Sequence, residues 1–271
     1  MSLIFAPLFS GSSGNCVFVS DGRGKILVDA GVSGAKVEKA LKQIGVHPSD
    51  LNAILVTHEH SDHISGVGIL SRKYDLPIYA TAGTWQAMRD KLGAIAAKNV
   101  CEIEAFRNFY LCNMDVLPFS IPHDAADPVG FSFESRGSRF SVATDLGCIR
   151  ESWLKYVLGA DAVLLEANYD PDMLQAGRYP YDLKKRILSR KGHLSNDNAG
   201  DAAGQLVDSG TKQIILGHLS KENNFPELAR KSVENILYAN GIDPDRDLSL
   251  DVAKRDEVTG LYEISAGITV R

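Results

Sequence analysis

The segment Thr57-His58-Glu59-His60-Ser61-Asp62-His63 constrains this chain more than any other. It directly follows the apolar run Ala53-Ile54-Leu55-Val56 and gathers three imidazoles and two carboxylates into six consecutive positions. A run of that apolar character reads as a strand buried on both faces, so whatever sheet contains it must deliver this polar loop at its edge. Groups so costly to desolvate are brought together where a cation neutralises them. Imidazole nitrogen and carboxylate oxygen suit zinc, manganese or iron, and thiolate is absent from the cluster.

More donors stand where other apolar runs end. His123 follows Phe119-Ser120-Ile121-Pro122, Asp145 follows Phe140-Ser141-Val142-Ala143-Thr144, and His218 follows Ile214-Ile215-Leu216-Gly217. Strand ends are where an α/β scaffold presents functional groups on a rigid base. With the first cluster they provide enough ligands for two metals, and a carboxylate such as Asp145 can bridge both. Strands are predicted at Cys16–Val19, Lys25–Asp29, Ala53–Thr57, Val129–Glu134, Arg139–Thr144, Ala162–Glu166, Gln213–Leu216 and Leu261–Ser265. Val37, Ala40, Leu41 and Ile44 recur at helical spacing within Gly34–Ile44, before the stop at Gly45. Asn196 is positioned to cap a helix carrying Ala199, Ala203 and Leu206, and Pro226 to open one closing near Gly241. The class is mixed α and β, and with no linker or repeat between segments residues 1–271 read as one domain.

Composition fits such a domain. The 271 residues are 44% hydrophobic and 23% charged, which argues against disorder, collagen and coiled coil. No apolar stretch approaches a membrane span, and the opening Leu3 to Phe9 lacks the length and basic flank of a signal peptide, so the expected setting is cytoplasmic. Cys16, Cys101, Cys112 and Cys148 are scattered without a paired spacing, as expected of reduced, buried thiols. The net charge of −5 gives no overall basic field for nucleic acid, although two bound divalent ions would add four positive charges at the site. Locally, Arg178, Lys184, Lys185, Arg186, Arg190 and Lys191 face a single Asp182, with Tyr179 and Tyr181 interleaved. Those cations can contact phosphates and the tyrosines can stack on exposed bases. His47, before Pro48, reads as a turn residue.

The HxHxDH string with its later His, Asp and His resembles the metallo-β-lactamase superfamily. That resemblance implies a four-layer αββα sandwich of two mixed sheets flanked by helices, with a dinuclear site at one edge. Carried over by motif, His58, His60 and His123 would hold one metal, Asp62, His63 and His218 the other, and Asp145 would bridge them. Asp29, before Ala30 and Gly31, matches an early strand-end Asp that braces the HxHxDH loop. Flavodiiron oxidoreductases carry a carboxylate at the position of His60, and metallo-β-lactamases proper generally lack the bridging Asp. The full set is instead similar to the hydrolase branch of glyoxalase II, tRNase Z, phosphodiesterases and nucleases. Gly192-His193-Leu194-Ser195 followed by Leu216-Gly217-His218-Leu219-Ser220 resembles the paired His motifs of tRNase Z, with His193 as the catalytic member and Glu166 as the residue orienting it.

Phe9-Ser10-Gly11-Ser12-Ser13-Gly14-Asn15-Cys16 and Gly217-His218-Leu219-Ser220-Lys221-Glu222-Asn223-Asn224 resemble the YycJ/WalJ family, which is associated with exonuclease activity on double-stranded DNA. The interval from Asp145 to His218 is too short for a β-CASP insertion and shows no Gly/Pro-rich arm of the tRNase Z kind. The resemblance therefore implies a DNA exonuclease using two divalent ions, zinc or manganese with iron as a further option. In it Asp62, His193 and Glu166 are catalytic, and Arg178, Lys184, Lys185 and Arg186 contact substrate. The alternatives are a glyoxalase II-like thioesterase or lactonase, a cyclic-nucleotide or other small phosphodiesterase, and a metal-bound scaffold or nucleic-acid-binding module without catalysis.

Overall fold

The computed structural model describes residues 2–264, in which two seven-stranded sheets are built by nearly the same plan. The first takes β1 (Leu3–Phe9), β2 (Cys16–Ser20), β3 (Lys25–Val28), β4 (Ala53–Leu55), β5 (Ile78–Thr81) and β6 (Val100–Ile103) in chain order. The second takes β7 (Phe109–Leu111), β8 (Met114–Ser120), β9 (Val129–Ser135), β10 (Ser138–Ala143), β11 (Ala162–Glu166), β12 (Gln213–Gly217) and β13 (Ser249–Val252). The chain then returns to the first sheet with β14 (Tyr262–Ile264), antiparallel to β1. In each sheet an antiparallel half passes into a parallel half, at β3 in the first and β10 in the second. Parallel neighbours end on the same edge, so the loops leaving β3, β4, β10, β11 and β12 emerge where a shared site can form.

Side-chain alternation assigns the faces. Ile26 and Val28 of β3 enter the core between the sheets, whereas Leu27 packs outward; in β12, Ile215 faces the inter-sheet core while Ile214 and Leu216 face outward. Each buried aliphatic side chain contributes about 1.5–3 kcal/mol, so a one-residue slip, which exchanges every inner and outer residue, is strongly opposed. Helices α1 (Gly34–Gln43), α2 (Ser61–Ile64), α3 (Val67–Tyr74) and α4 (Ala82–Leu92) lie between strands of the first half. Val37, Leu41, Leu70 and Met88, from α1, α3 and α4, cover the outer face of the first sheet. In the second half come α5 (Glu151–Leu154), α6 (Pro171–Ala176), α7 (Tyr181–Ile187), α8 (Asn196–Asp208) and α9 (Pro226–Ala239). Trp153, Ala203, Leu206, Val233 and Leu237, from α5, α8 and α9, cover the second sheet, completing the four layers. Helices α6 and α7 stand apart as a small arm around Tyr169, Leu174 and Ile187.

Several expectations need correction. Leu3–Phe9, unassigned from the sequence, is a strand buried on both faces, despite Pro7 within its apolar run. Ser195, not Asn196, caps α8: its side chain accepts the Asn198 N–H at 3.1 Å, and Asn196 is the first helical residue. Of the four free cysteines only Cys16 is fully buried; Cys101, Cys112 and Cys148 are half-buried. The predicted strand Leu261–Ser265 is observed as β14, Ser265 lying outside the described residues.

Three strand ends share one backbone device. Asp29, Asp145 and His218 follow β3, β10 and β12 with φ of 60°, 61° and 57°. The left-handed region costs a residue bearing a Cβ on the order of 1–2 kcal/mol, and such strain concentrates where surrounding structure fixes a functional geometry.

Candidate metal centre

The HxHxDH loop leaves β4 and turns immediately into α2. Its path is set by Gly31: a Cβ there would lie 1.6 Å from the Asp62 carbonyl oxygen, so only glycine lets the two segments pass. Asn15 secures the same crossing, its N–H bonding the Asp62 carbonyl at 2.8 Å and its carbonyl accepting the Gly31 N–H at 2.7 Å.

His58, His60 and His123 converge as one triad. His58 Nε2 lies 3.0 Å and His123 Nε2 3.3 Å from His60 Nδ1. Nitrogens bound at 2.0–2.1 Å to one ion sit about 2.9–3.4 Å apart, so these spacings fit a metal. The outer bonds fit too. His58 Nδ1 lies 3.0 Å from Thr57 Oγ1, which itself donates to Asp29, and His123 Nδ1 lies 3.2 Å from the Gly192 carbonyl. Both rings must donate from Nδ1, leaving Nε2 lone pairs aimed inward.

Asp62, His63 and His218 form the second triad, with Asp62 Oδ2 3.7 Å from His63 Nε2 and 3.8 Å from His218 Nε2. Here the bracing groups are carboxylates. Asp29 Oδ2 accepts His63 Nδ1–H at 2.8 Å, and its two oxygens also accept the Thr57 N–H and hydroxyl. Glu166 Oε1 accepts His218 Nδ1–H at 2.7 Å. Between the triads stands Asp145, with Oδ1 3.7 Å from His123 Nε2 and Oδ2 3.5 Å from His63 Nε2. Asp145 Oδ2 and His218 Nε2 are buried without a hydrogen-bond partner, a costly state that a nearby cation would relieve. All seven expected ligands thus meet at one place, and their donor set suits divalent metal.

The electrostatics of the triads diverge. Burial and the surrounding imidazoles push His58 below the usual imidazole range, and burial lowers His123 against the pull of Asp145. At His63 burial also pulls down, but Asp145, Asp29 and Asp62 outweigh it and raise the ring to about 9. His218 is raised against burial by Asp145, Asp62 and Glu166. Burial favours protonation of Asp62, Asp145 and Glu166, yet the facing imidazoles hold all three below the usual carboxylate range.

Glu166 does more than the sequence indicated. Its Oε1 also accepts His193 Nδ1–H at 2.8 Å, while Oε2 accepts the N–H groups of Leu146 and Leu194 at 2.7 and 3.1 Å. One fully buried carboxylate therefore orients His193 and His218 together. His193 lines a cavity of about 230 Å³ with His60, Asp62, His123, Asp145 and His218, beneath Tyr179, Leu183 and Arg186 of the arm. Glu59 points away from the donors and accepts the Ala126 N–H, bracing the loop that follows His123.

The basic segment does not act as one stripe. Lys184 donates to the Gln175 carbonyl at 2.7 Å, Arg186 is paired with Asp124, Lys185 is exposed, and Arg178 lines a neighbouring groove with Tyr179 and Glu222. Residues unassigned from sequence also join the site. The Asn224 amide donates to Asn196 Oδ1 and to the Ala167 and Asn168 carbonyls, and the Asn168 amide donates to the His218 carbonyl at 2.7 Å. The signal was the paired Asn223-Asn224 so soon after His218.

Comparison with known proteins places the chain in a family. Residues 24–219 match the beta-lactamase superfamily domain. The chain is 42% identical over 243 residues to the exodeoxyribonuclease YycJ of Bacillus anthracis, covering 89% of this chain and 91% of that protein. It is 41% identical over 264 residues to the exodeoxyribonuclease WalJ of Streptococcus pneumoniae serotype 2, covering 96% and 97%. The crystal structure of the metallo-beta-lactamase fold protein YhfI from Bacillus subtilis superposes with a TM-score of 0.73 at 16% identity, covering 97% of this chain and all of that one. The chain belongs to the metallo-β-lactamase superfamily and, within it, to the YycJ/WalJ exonuclease family.

Proposed function

We propose that this protein is a metal-dependent phosphodiester hydrolase acting on DNA as an exonuclease. The observation that carries the reading is Asp145 standing between two donor triads, with His193 held by Glu166 beside them. The exodeoxyribonucleases that share about two-fifths of its sequence support the same substrate. His58, His60 and His123 would hold one divalent ion and Asp62, His63 and His218 the other, with Asp145 shared; zinc and manganese suit these donors, and iron is compatible. When bound, such a pair supplies Lewis-acid polarisation of a phosphate and lowers the pKa of water.

The chain's own groups provide the remainder. His193 spends Nδ1 on Glu166, leaving Nε2 to donate its proton to the ester oxygen as the phosphorus–oxygen bond breaks. Water supplies the oxygen of the new bond. Asp62, kept ionised, would orient that water and serve as one of the donors to a bound ion. Glu166, fully buried, would act through the two imidazoles it orients. Asp29 holds the loop that carries five of the donor and bracing groups. Arg178 and Lys185, exposed on and beside the arm, would contact the nucleic-acid backbone.

We read the chain as one domain without a β-CASP insertion, because the interval from Asp145 to His218 is filled by β11, the α6–α7 arm and α8. Among the described residues no helix is long and apolar enough to cross a membrane, and the four free thiols support a cytoplasmic setting. The deciding experiment compares metal-loaded protein on duplex DNA, RNA, bis-p-nitrophenyl phosphate and a thioester. The reading requires hydrolysis of DNA and the small phosphodiester; turnover of the thioester alone overturns it.

A further inference from the structure

We propose that Arg186, aligned by Asp124, forms a binding site for the substrate phosphate at the rim of the metal-centre cavity, an assignment that rests on the phosphodiesterase reading above. Arg186 lies on α7 and is brought over the loop that follows His123. Its Nε donates to Asp124 Oδ2 and its Nη2 to Asp124 Oδ1 at 3.1 Å. The same Asp124 Oδ1 stands 3.4 Å from His123 Nε2, so the guanidinium is anchored beside the three-histidine triad. Among the described residues lining the cavity, it carries the one permanent side-chain cation.

The pairing with Asp124 leaves the guanidinium able to bind. Five N–H groups radiate from it, and the two contacts with Asp124 leave three for another acceptor. The Arg186 side chain is 52% exposed, so these donors are accessible from the cavity side. Asp124 fixes the plane of the fork in advance, the condition under which arginine recognises a phosphate through parallel hydrogen bonds. A purely mechanical role for the pair is poorly motivated. The arm already has its own apolar cluster of Tyr169, Leu174 and Ile187, and exposed ion pairs add little to stability. Lys184, two residues earlier on the same helix, is directed instead onto the Gln175 carbonyl.

The position also links phosphate binding to the proton donor. The N–H of His193 bonds the Ile187 carbonyl at 3.1 Å, immediately after Arg186. A Cβ at Gly192 would lie 2.4 Å from the Arg186 carbonyl, so the segment bearing His193 passes directly against this turn. A phosphate drawn to Arg186 is thereby held next to His193.

The test uses metal-loaded wild type and the variants Arg186→Gln, Arg186→Lys and Asp124→Asn, each checked for melting temperature and bound metal. Calorimetric titration with inorganic phosphate measures binding without turnover; bis-p-nitrophenyl phosphate and duplex DNA measure turnover. Hydrogen bonds to a charged group correspond to about 10- to 100-fold in affinity, the loss expected for both Arg186 variants. Lysine keeps the charge and the fold yet lacks the fork, so Arg186→Lys should recover little. Asp124→Asn should lose about 10-fold through misalignment while retaining its metal. Phosphate affinity in Arg186→Lys and Arg186→Gln within twofold of wild type overturns the site. If wild type binds phosphate through Arg186 but hydrolyses neither phosphodiester, the phosphodiesterase reading falls and the site stands. If wild type hydrolyses both and Arg186→Gln matches it in affinity and kcat/KM, the site falls and the reading stands.

Discussion

The two triads of the centre are built from similar residues but are prepared differently for a cation. In the three-histidine triad the outer partners are neutral, Thr57 Oγ1 and the Gly192 carbonyl, and the inner nitrogens already stand 3.0 and 3.3 Å apart. His58 and His123 are held below the usual imidazole range, so their lone pairs are available near neutral pH. In the other triad the outer partners are the carboxylates of Asp29 and Glu166, the inner atoms are 3.7 and 3.8 Å apart, and both imidazoles are raised. A neutral brace thus leaves an imidazole ready to ligate, whereas Asp145, reinforced by the anionic braces, makes it hold a proton that a metal would have to displace. The second arrangement gives a more basic ligand and stronger attraction for a divalent ion once the proton has left.

Asp145 is the group both triads share, so its removal should erase the contrast. Asp145→Ala is expected to lower turnover by on the order of 10⁴-fold, because stabilisation by metal is worth several kcal/mol and both ions lose a donor. Wild type loaded with zinc or manganese should reach two ions per chain by elemental analysis, and the variant should fall short. Wild type that never exceeds one ion per chain breaks the two-triad description.

His193 shares Glu166 with only one triad, which separates chemistry from metal retention. His193→Ala should keep both ions and the melting temperature while losing ~10²–10⁴-fold on a substrate with a poor leaving group, the usual worth of general acid catalysis. Hydrolysis of a p-nitrophenyl ester, whose leaving group needs little protonation, should suffer less. Glu166→Gln should combine this loss with weaker metal binding at the Asp62, His63 and His218 triad. Equal losses on both leaving groups in His193→Ala would remove its role as acid.

What the sequence disclosed and withheld follows from range. The HxHxDH donors were legible as a cluster because one short loop carries them, and His123, Asp145 and His218 as candidates because each ends an apolar run. The outer contacts were less visible: Glu166 bracing His218 depends on β11 and β12 lying side by side. The Arg186–Asp124 pair depends on α7 folding back over a loop far earlier in the chain. Among strands, β12 was legible from its apolar run, while the half-exposed β6 and β7 sit at sheet edges where neighbours, not local pattern, define them. Leu3–Phe9 is masked for another reason: Pro7 interrupts its apolar run, and a proline inside a run argues against a strand.

The raised imidazoles give the contrast a pH signature. A ring raised in the fold contributes stability that is complete below its unfolded value near 6.5 and is lost as pH climbs through the folded value, about 9 for His63. Chelator-treated protein should therefore become less heat-stable from pH 6.5 to 9, while metal affinity at that triad increases as the competing proton leaves. Calorimetric metal titration near neutral pH should find one equivalent nearly proton-neutral and the other releasing protons. Equal proton release by both equivalents would show that the braces do not set the difference.

The smallest expected effect tests the brace itself at Asp29. Asn preserves the shape and tolerates the φ of 60° found there, so the strand-to-loop turn should persist where Ala would add strain. What changes is hydrogen bonding: the carboxylate accepts from the Thr57 N–H, the Thr57 hydroxyl and His63 Nδ1, whereas an amide must turn its own donor toward at least one of these partners. If that donor faces His63, the ring is driven to the tautomer with its proton on Nε2, where the metal should bind. Asp29→Asn should accordingly weaken the Asp62, His63 and His218 triad by about 10-fold, the lower end of what outer-contact changes produce, and leave the three-histidine triad closer to wild type. Competition with a chelator that resolves the two equivalents measures this directly. A loss shared equally would assign Asp29 to holding the whole loop through Thr57, and no loss would mean that His63 keeps its tautomer without the brace.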